Sequence, residues 1–276
     1  MALVYVNGAL VEEDEAHISV RDHGLVVGDG VFETVLVSAA RPFALSRHLD
    51  RLERSARGLG LGEIDRDEVA SAVAAVVAAQ PLSIGRLRIT LTAGAGPLGS
   101  GRWSGPNTLV VALEEDHAPA PSARVAVVPY RRNEHGALTG LKTTSYAENA
   151  LALADAAAAG ADEAIFANTA QMLCEGTGSN VFVVVSGRLL TPPLSSGCLA
   201  GVTRALVLEV TEAFEEDLAI ADFTPGRVEE AFLTSTLRDV QPIAAIDGVG
   251  FETVPGPRTK EAMDAFAALR AGNIDP

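Results

Sequence analysis

Leu141-Lys142-Thr143-Thr144-Ser145-Tyr146-Ala147-Glu148-Asn149 runs from a lysine through hydroxyl residues into an alanine-rich segment, Ala147 to Ala159, that reads as helix. Thirty-three residues after the lysine, Glu175-Gly176-Thr177-Gly178-Ser179-Asn180-Val181-Phe182 runs from an acid through a glycine-rich turn into the strand pattern Val181 to Val185. The two stretches set an α/β alternation. They also put a primary amine and an inward-facing acid in reach of the same question, since an amine can condense with a carbonyl group and an acid can hold a cationic ring nitrogen.

Outward from these stretches the alternation continues in both directions. Ahead of them lie strands at Leu3 to Val6, Val31 to Val37 and Arg86 to Thr92, with helices from Arg47 to Leu59 and from Asp67 to Ala79. Strand patterns at Thr108 to Leu113 and Arg124 to Pro129 flank Glu-Glu-Asp-His-Ala-Pro-Ala-Pro-Ser-Ala, residues 114–123, a run of charge, proline and small residues. A domain boundary is expected there: residues 1–117 as a small α/β domain, 118–123 as linker, and 124–276 as a larger domain. Beyond it come strands at Glu163 to Ala167 and Ala231 to Ser235, a helix starting at Val202, and a closing helix from Thr259 to Leu269 with Met263, Phe266 and Leu269 as its apolar stripe.

The composition excludes several function classes. The chain has 276 residues, 48% of them hydrophobic, enough for a packed core. A formal net charge of −15 with scattered basic residues opposes nucleic acid and acidic membranes as partners. The first residues, Met1-Ala2-Leu3-Val4-Tyr5-Val6-Asn7-Gly8, carry no cationic lead and no long apolar run, so a cytoplasmic location is expected. Cys174 and Cys198 stand without paired spacing or a histidine cluster, which points to packing residues and to no metal site.

Lys142 follows Gly136-Ala137-Leu138-Thr139-Gly140-Leu141, a stretch too poor in charge for an ordinary solvated face. Its amine could take pyridoxal phosphate, whose ring supplies an electron sink that side chains lack. Glu175 follows Met172-Leu173 and points inward from a strand end; a buried acid needs a partner, which a pyridinium nitrogen or a core arginine would supply. In Leu199-Ala200-Gly201-Val202-Thr203-Arg204 the glycine permits close approach, and the amides of Val202 and Thr203 would open a helix onto a phosphate. Arg51 borders the stripe Leu49, Leu52, Ala56, Leu59 of a helix for which Ser46 is the expected N-cap, and could offer paired donors to the same phosphate. Ser235 and Thr236 add hydroxyls at a strand end.

Taken in order, Gly28-Asp29-Gly30-Val31-Phe32-Glu33-Thr34, His48-Leu49-Asp50-Arg51-Leu52, Lys142, Glu175 to Phe182, Gly201-Val202-Thr203-Arg204 and Thr234-Ser235-Thr236-Leu237-Arg238-Asp239-Val240-Gln241-Pro242 resemble the class IV aminotransferases, the fold type IV pyridoxal phosphate enzymes. The resemblance implies a small α/β N-terminal domain and a larger C-terminal domain around a β-barrel-like sheet, in a homodimer. It implies Lys142 as Schiff-base lysine and proton shuttle, Glu175 as partner of the pyridine nitrogen, and Arg51, Val202, Thr203, Ser235 and Thr236 as holders of the phosphate.

The family covers several reactions, among them transamination of D-amino acids, branched-chain amino acids or (R)-amines, and the lysis of aminodeoxychorismate. Its D-amino acid members carry an Arg-x-His pair on the loop after the strand matching Arg86 to Thr92; here Leu98 and Ser100 occupy those positions. Arg88, on the alternation Arg88, Thr90, Thr92, could face the site and bind a carboxylate or lie on a solvent-facing side of the strand; Arg102 and Arg238 are lesser candidates, and Phe32, Leu98 and Ser100 are candidate substrate contacts. The expectation is a ping-pong transaminase acting between a D-amino acid, or an (R)-amine, and a 2-keto acid. Two alternatives are a 4-amino-4-deoxychorismate lyase releasing pyruvate and 4-aminobenzoate, and a non-catalytic cofactor-holding protein.

Overall fold

The computed structural model describes residues 2–276. It divides into two compact units: residues 2–118 with 141–146 and 275, and residues 119–140 with 147–274 and 276. The segment carrying Lys142 thus packs with the first unit, although it follows the expected linker in sequence.

The first unit holds strands β1 (Leu3–Val6), β2 (Ala9–Glu12), β3 (Gly30–Ser38), β4 (Arg41–Pro42), β5 (Ile84–Thr92) and β6 (Thr108–Glu115), with helices α1 (His23–Val26), α2 (Leu45–Leu59) and α3 (Arg66–Ala79). The strands form one antiparallel sheet in the order β2-β1-β6-β5-β3-β4. Period-two alternation decides its faces. Val31, Val35 and Val37 of β3 and Leu87, Ile89 and Leu91 of β5 join Leu49, Leu52 and Ala56 of α2 and Val69, Val73 and Val76 of α3 in one core. Phe32 and Arg88 therefore lie on the other face, while Glu33 projects toward the helices.

α2 buries His48, Leu49, Arg51, Leu52, Ser55 and Ala56, a helical stripe in which three members are polar. Arg51 is thus inside the stripe rather than at its border. The expected N-cap, Ser46, is one residue inside the helix. Ala44 is the N-cap in a left-handed conformation with no side-chain cap, and the carboxylate of Asp275 accepts from Ser46 N at 3.0 Å and Ser46 Oγ at 2.6 Å. An acceptor 229 residues away replaces the local one.

The second unit contains β7 (Ala123–Arg132), α4 (Ala147–Ala158), β8 (Glu163–Asn168), β9 (Leu173–Gly176), β10 (Asn180–Val185), β11 (Arg188–Thr191), α5 (Val202–Val210), β12 (Phe214–Glu215), β13 (Glu230–Ser235), β14 (Asp239–Ile246), β15 (Val249–Gly250) and α6 (Pro257–Gly272). Its curled sheet runs β12-β11-β10-β13-β14-β7-β8-β9, with β15 paired to β14. The contacts of β7 with β8 and with β14 are parallel, whereas β8–β9, β10–β13 and β13–β14 are antiparallel. β8 is buried at every residue, with Ile165 in one core and Ala164 and Phe166 in another with Ala152 and Ala156 of α4. A strand covered on both faces shows no polar alternation. In α6 the buried residues are Thr259, Ala262 and Phe266, so Phe266 keeps its expected place, whereas Met263 and Leu269 are only half-buried.

No helix among the described residues is long and apolar enough to cross a membrane, and no group of histidine, cysteine or acidic residues among them could hold a metal ion. Both cysteines are buried, and burial pushes both thiols up, Cys198 to about 11.

Candidate active site

Lys142 is held by its backbone on two sides. Its carbonyl accepts from Phe32 N of β3 at 2.9 Å, and its amide donates to Ser55 Oγ of α2 at 3.1 Å. Thr143 bridges Val31, and Thr144 donates from N to Gly30 O and from Oγ1 to Gly28 O. The short strand-like segment 142–145 is thereby fixed along the start of β3. The Lys142 side-chain nitrogen lies 4.3 Å from the centre of the Phe32 ring and 5.6 Å from that of Tyr146. Tyr146 meets Phe32 edge-on at 5.2 Å. The Arg88 guanidinium sits 3.5 Å over the Phe32 ring, so the sheet face opposite α2 carries an amine and a guanidinium on one aromatic shelf. Partial burial lowers the Arg88 pKa.

Behind that shelf, Glu33 is fully buried. It accepts from Arg51 Nε and Nη2, both at 2.7 Å, and from His48 Nδ1 at 2.7 Å. Burial alone would raise its pKa, but the charge and hydrogen bonds of Arg51, with His48, hold it at about 2. Burial lowers the pKa of His48, with Glu33 opposing. Because an ionised carboxylate only accepts, His48 carries its proton on Nδ1. The paired-donor edge of Arg51 that was expected to face a phosphate is thus taken up by Glu33; the Nη1 donors lie on the opposite edge.

Leu98 and Ser100 lie exposed on the loop after β5. That loop is tied back by Arg102, which donates to both carboxylate oxygens of Asp29, to Leu59 O and to Gly60 O, and by His23 Nε2 at 2.9 Å from Pro97 O. As a carboxylate ligand Arg102 is already engaged. Arg238 is likewise occupied, by Gln241 Oε1, Asp162 O and the Glu163 carboxylate at 3.6 Å.

In the second unit Glu175 sits on β9 and is buried at the strand end, as its sequence context indicates. One oxygen accepts from Arg132 Nε at 3.1 Å and the other from the amide of Leu199 at 2.9 Å. Arg132 lies 4.1 Å over the Phe166 ring and reaches Glu148 at 2.8 Å. A core arginine therefore already partners this acid. The turn that follows is pinned by Glu163, which accepts from Thr177 N at 3.0 Å, Thr177 Oγ1, Ser179 Oγ at 3.1 Å and Ala164 N at 3.1 Å.

Gly201 is the N-cap of α5, and a Cβ there would collide with Asn180 Oδ1, so this residue must be glycine for the helix to start so close to β10. Val202 and Thr203 are buried in the first turn, where helical amides have no intrahelical acceptor. Ser235 ends β13 and Thr236 opens the next turn; Ser235 Oγ accepts from Arg238 N at 3.3 Å.

Sequence reasoning assigned no role to Tyr146, Glu33, His48, Ser55, Arg132 or Glu163. Three of these carried a legible signal: Glu33 is an acid at a core position of an apolar strand, and His48 and Ser55 share the helical stripe with Arg51.

Residues 30–246 match the family model for amino-transferase class IV. The chain is a class IV aminotransferase. It is 32% identical to a putative branched-chain-amino-acid aminotransferase of Methanocaldococcus jannaschii, over 97% of this chain and 96% of that one. The aminodeoxychorismate lyase of Bacillus subtilis is 28% identical over 97% and 93%, and a D-alanine aminotransferase of Staphylococcus aureus 26% identical over 96% and 97%. Among solved structures, the branched-chain aminotransferase of Thermoproteus uzoniensis with norvaline superposes with a TM-score of 0.90 at 28% identity, covering 98% of this chain and 95% of that one. Class IV aminotransferases use pyridoxal 5'-phosphate, the cofactor the sequence indicates. Each unit carries groups whose chemistry suits it: the first an amine on an aromatic shelf, the second a buried strand-end acid and a helix N-terminus.

Proposed function

We propose that this aminotransferase moves an amino group between an α-amino acid and a 2-keto acid in two half-reactions, with Lys142 as the proton carrier. The observation that supports this best is the Phe32 ring, which has the Lys142 amine 4.3 Å and the Arg88 guanidinium 3.5 Å from its centre. A group able to take a proton from an α-carbon and a group able to hold an α-carboxylate share one support.

Bound pyridoxal phosphate supplies the electron sink for charge developing at the α-carbon. In this reading Lys142 Nζ removes the α-proton and delivers it again. Glu175 would accept a hydrogen bond from the protonated ring nitrogen, its carboxylate being held by Arg132 and the Leu199 amide. Arg51, the amides of Val202 and Thr203, and the hydroxyls of Ser235 and Thr236 would hold the phosphate. Arg88 orients the carboxylate against Phe32, which disfavours simple (R)-amines as donors because they have none.

For the donor, the archaeal relative and the norvaline-bound neighbour support an apolar, branched-chain type of side chain, as does Leu98-x-Ser100 where D-amino acid enzymes carry Arg-x-His. The D-amino acid donor expected from the sequence has the Staphylococcus relative in its favour. A second reaction, lysis of aminodeoxychorismate to pyruvate and 4-aminobenzoate, is favoured by the Bacillus relative and would use the same lysine for proton transfer. We take the working form to be a cytoplasmic homodimer, in which the exposed Leu98 and Ser100 are available to a neighbouring copy.

Single-turnover absorbance spectra of the holoenzyme test these readings together. L-leucine, L-valine, D-alanine and D-glutamate are offered in turn, and conversion of the yellow form by any of them supports transamination while the responding hand identifies the donor. Silence with all four, together with pyruvate release from aminodeoxychorismate, replaces the transaminase by the lyase.

A further inference from the structure

We propose that Arg102 is a positioning residue that clasps the loop after β5 and so fixes where Leu98 and Ser100 meet the substrate. The inference rests on the reading of those two residues as substrate contacts. The base of the loop is closed by backbone. Gly96 N donates to Arg21 O at 3.0 Å and His23 N to Gly94 O at 2.9 Å, while Gly94 turns at a positive φ where a Cβ would lie 2.1 Å from Pro106 O. Beyond Pro97 the chain is held differently. Among the described residues, Arg102 makes every hydrogen bond that ties the stretch 98–106 to the rest of the protein. Apolar burial does not hold it, since Leu98 and Trp103 are 69% and 66% exposed.

The clasp joins three parts of the first unit. Arg102 Nε and Nη2 donate to the two carboxylate oxygens of Asp29 at 2.7 and 2.6 Å, a paired fork that fixes the plane of the guanidinium. The same group donates to Leu59 O and Gly60 O, carbonyls that the end of α2 leaves without intrahelical partners. Asp29 stands between Gly28 and Gly30. Their carbonyls accept from Thr144 Oγ1 and Ser145 Oγ, both at 3.0 Å, and from Thr144 N at 2.8 Å. The turn that anchors the Lys142 segment therefore also anchors the loop. With its side chain 40% exposed, Arg102 adds little to global stability through this ion pair, so its consequence is local order.

Trp103, the single tryptophan of the chain, follows Arg102, and time-resolved anisotropy of its fluorescence in the holoenzyme reads the loop directly. Arg102→Gln should add a fast component absent from wild type, with Tm and affinity for pyridoxal phosphate unchanged, and Asp29→Asn should add the same component. In both, KM for the amino acid donor should rise roughly three- to tenfold at unchanged kcat, the scale of re-ordering a released segment on binding. Arg102→Lys should recover part of the loss, and the double variant should be no worse than either single one, because both remove the same tie. Unaltered anisotropy, or a freed Trp103 with unaltered KM, overturns the inference. So does a KM raised by Arg102→Gln and not by Asp29→Asn, since the arginine would then touch the substrate itself, and so does a fall in Tm or cofactor affinity that matches the change in KM. Should wild type turn over aminodeoxychorismate and no amino acid, the transaminase reading fails, and KM for aminodeoxychorismate decides this inference by the same comparison.

Discussion

Glu33 in the first unit and Glu175 in the second are both buried acids paired with an arginine, yet they are held in opposite ways. Glu33 is sealed: two side chains of α2 take both of its oxygens, and all three residues are buried. Glu175 is shared: its arginine is also bound by Glu148, whose side chain is 51% exposed, and its second oxygen goes to a backbone amide. A sealed acid fixes its neighbours' geometry and is insulated from solvent. A shared acid keeps a route by which a ligand can compete for it.

The sharpest break in this comparison is expected from Lys142→Ala. If the first unit supplies both rigid frame and proton carrier, the half-reaction rate should fall by at least about a thousandfold, the upper range of general acid–base contributions, with circular dichroism unchanged. A residual rate near wild type would move the chemistry elsewhere.

Glu33→Gln comes next. Its pKa is lowered from 4.5 to about 2, so its stabilisation is present above pH 4.5 and disappears as the pH falls through about 2. Urea titrations should find the variant less stable at pH 7 and the gap from wild type closing below pH 4.5. A gap independent of pH would mean that Glu33 is not a sealed, ionised acid.

Arg88→Leu should raise KM for amino acids by roughly ten- to a hundredfold, the worth of a charge-assisted hydrogen bond, while leaving thermal stability near wild type. Equal losses in stability and KM would make Arg88 part of the frame. The smallest effect belongs to the shared side: Glu148→Gln removes a solvent-exposed ion-pair partner and should cost less than about 1 kcal/mol in urea titration.

The contrast also explains what could be read from the chain. Elements with plain periodicity, such as β3, β5 and α3, were legible because one face packs on an apolar core. Alternation put Arg88 on one face of its strand with Thr90 but left open which face that was; its place over the Phe32 ring came from the pairing of β3 with β5. Arg132 was not, because its bond to Glu175 spans 43 residues and depends on how β7, β8 and β9 align in the curled sheet. β14 escaped notice because Gln241 and Pro242 interrupt its pattern, though both are buried between neighbours. Ser46 read as a cap from local chemistry, and tertiary structure overruled it.

The tie between Asp275 and Ser46 has a practical side. The helix bearing Arg51 begins without a cap of its own and relies on a carboxylate one residue from the C-terminal proline. Replacing the Asp275 carboxylate would leave the first turn of this helix without an acceptor, so a position far off in sequence becomes part of what holds the helix in place.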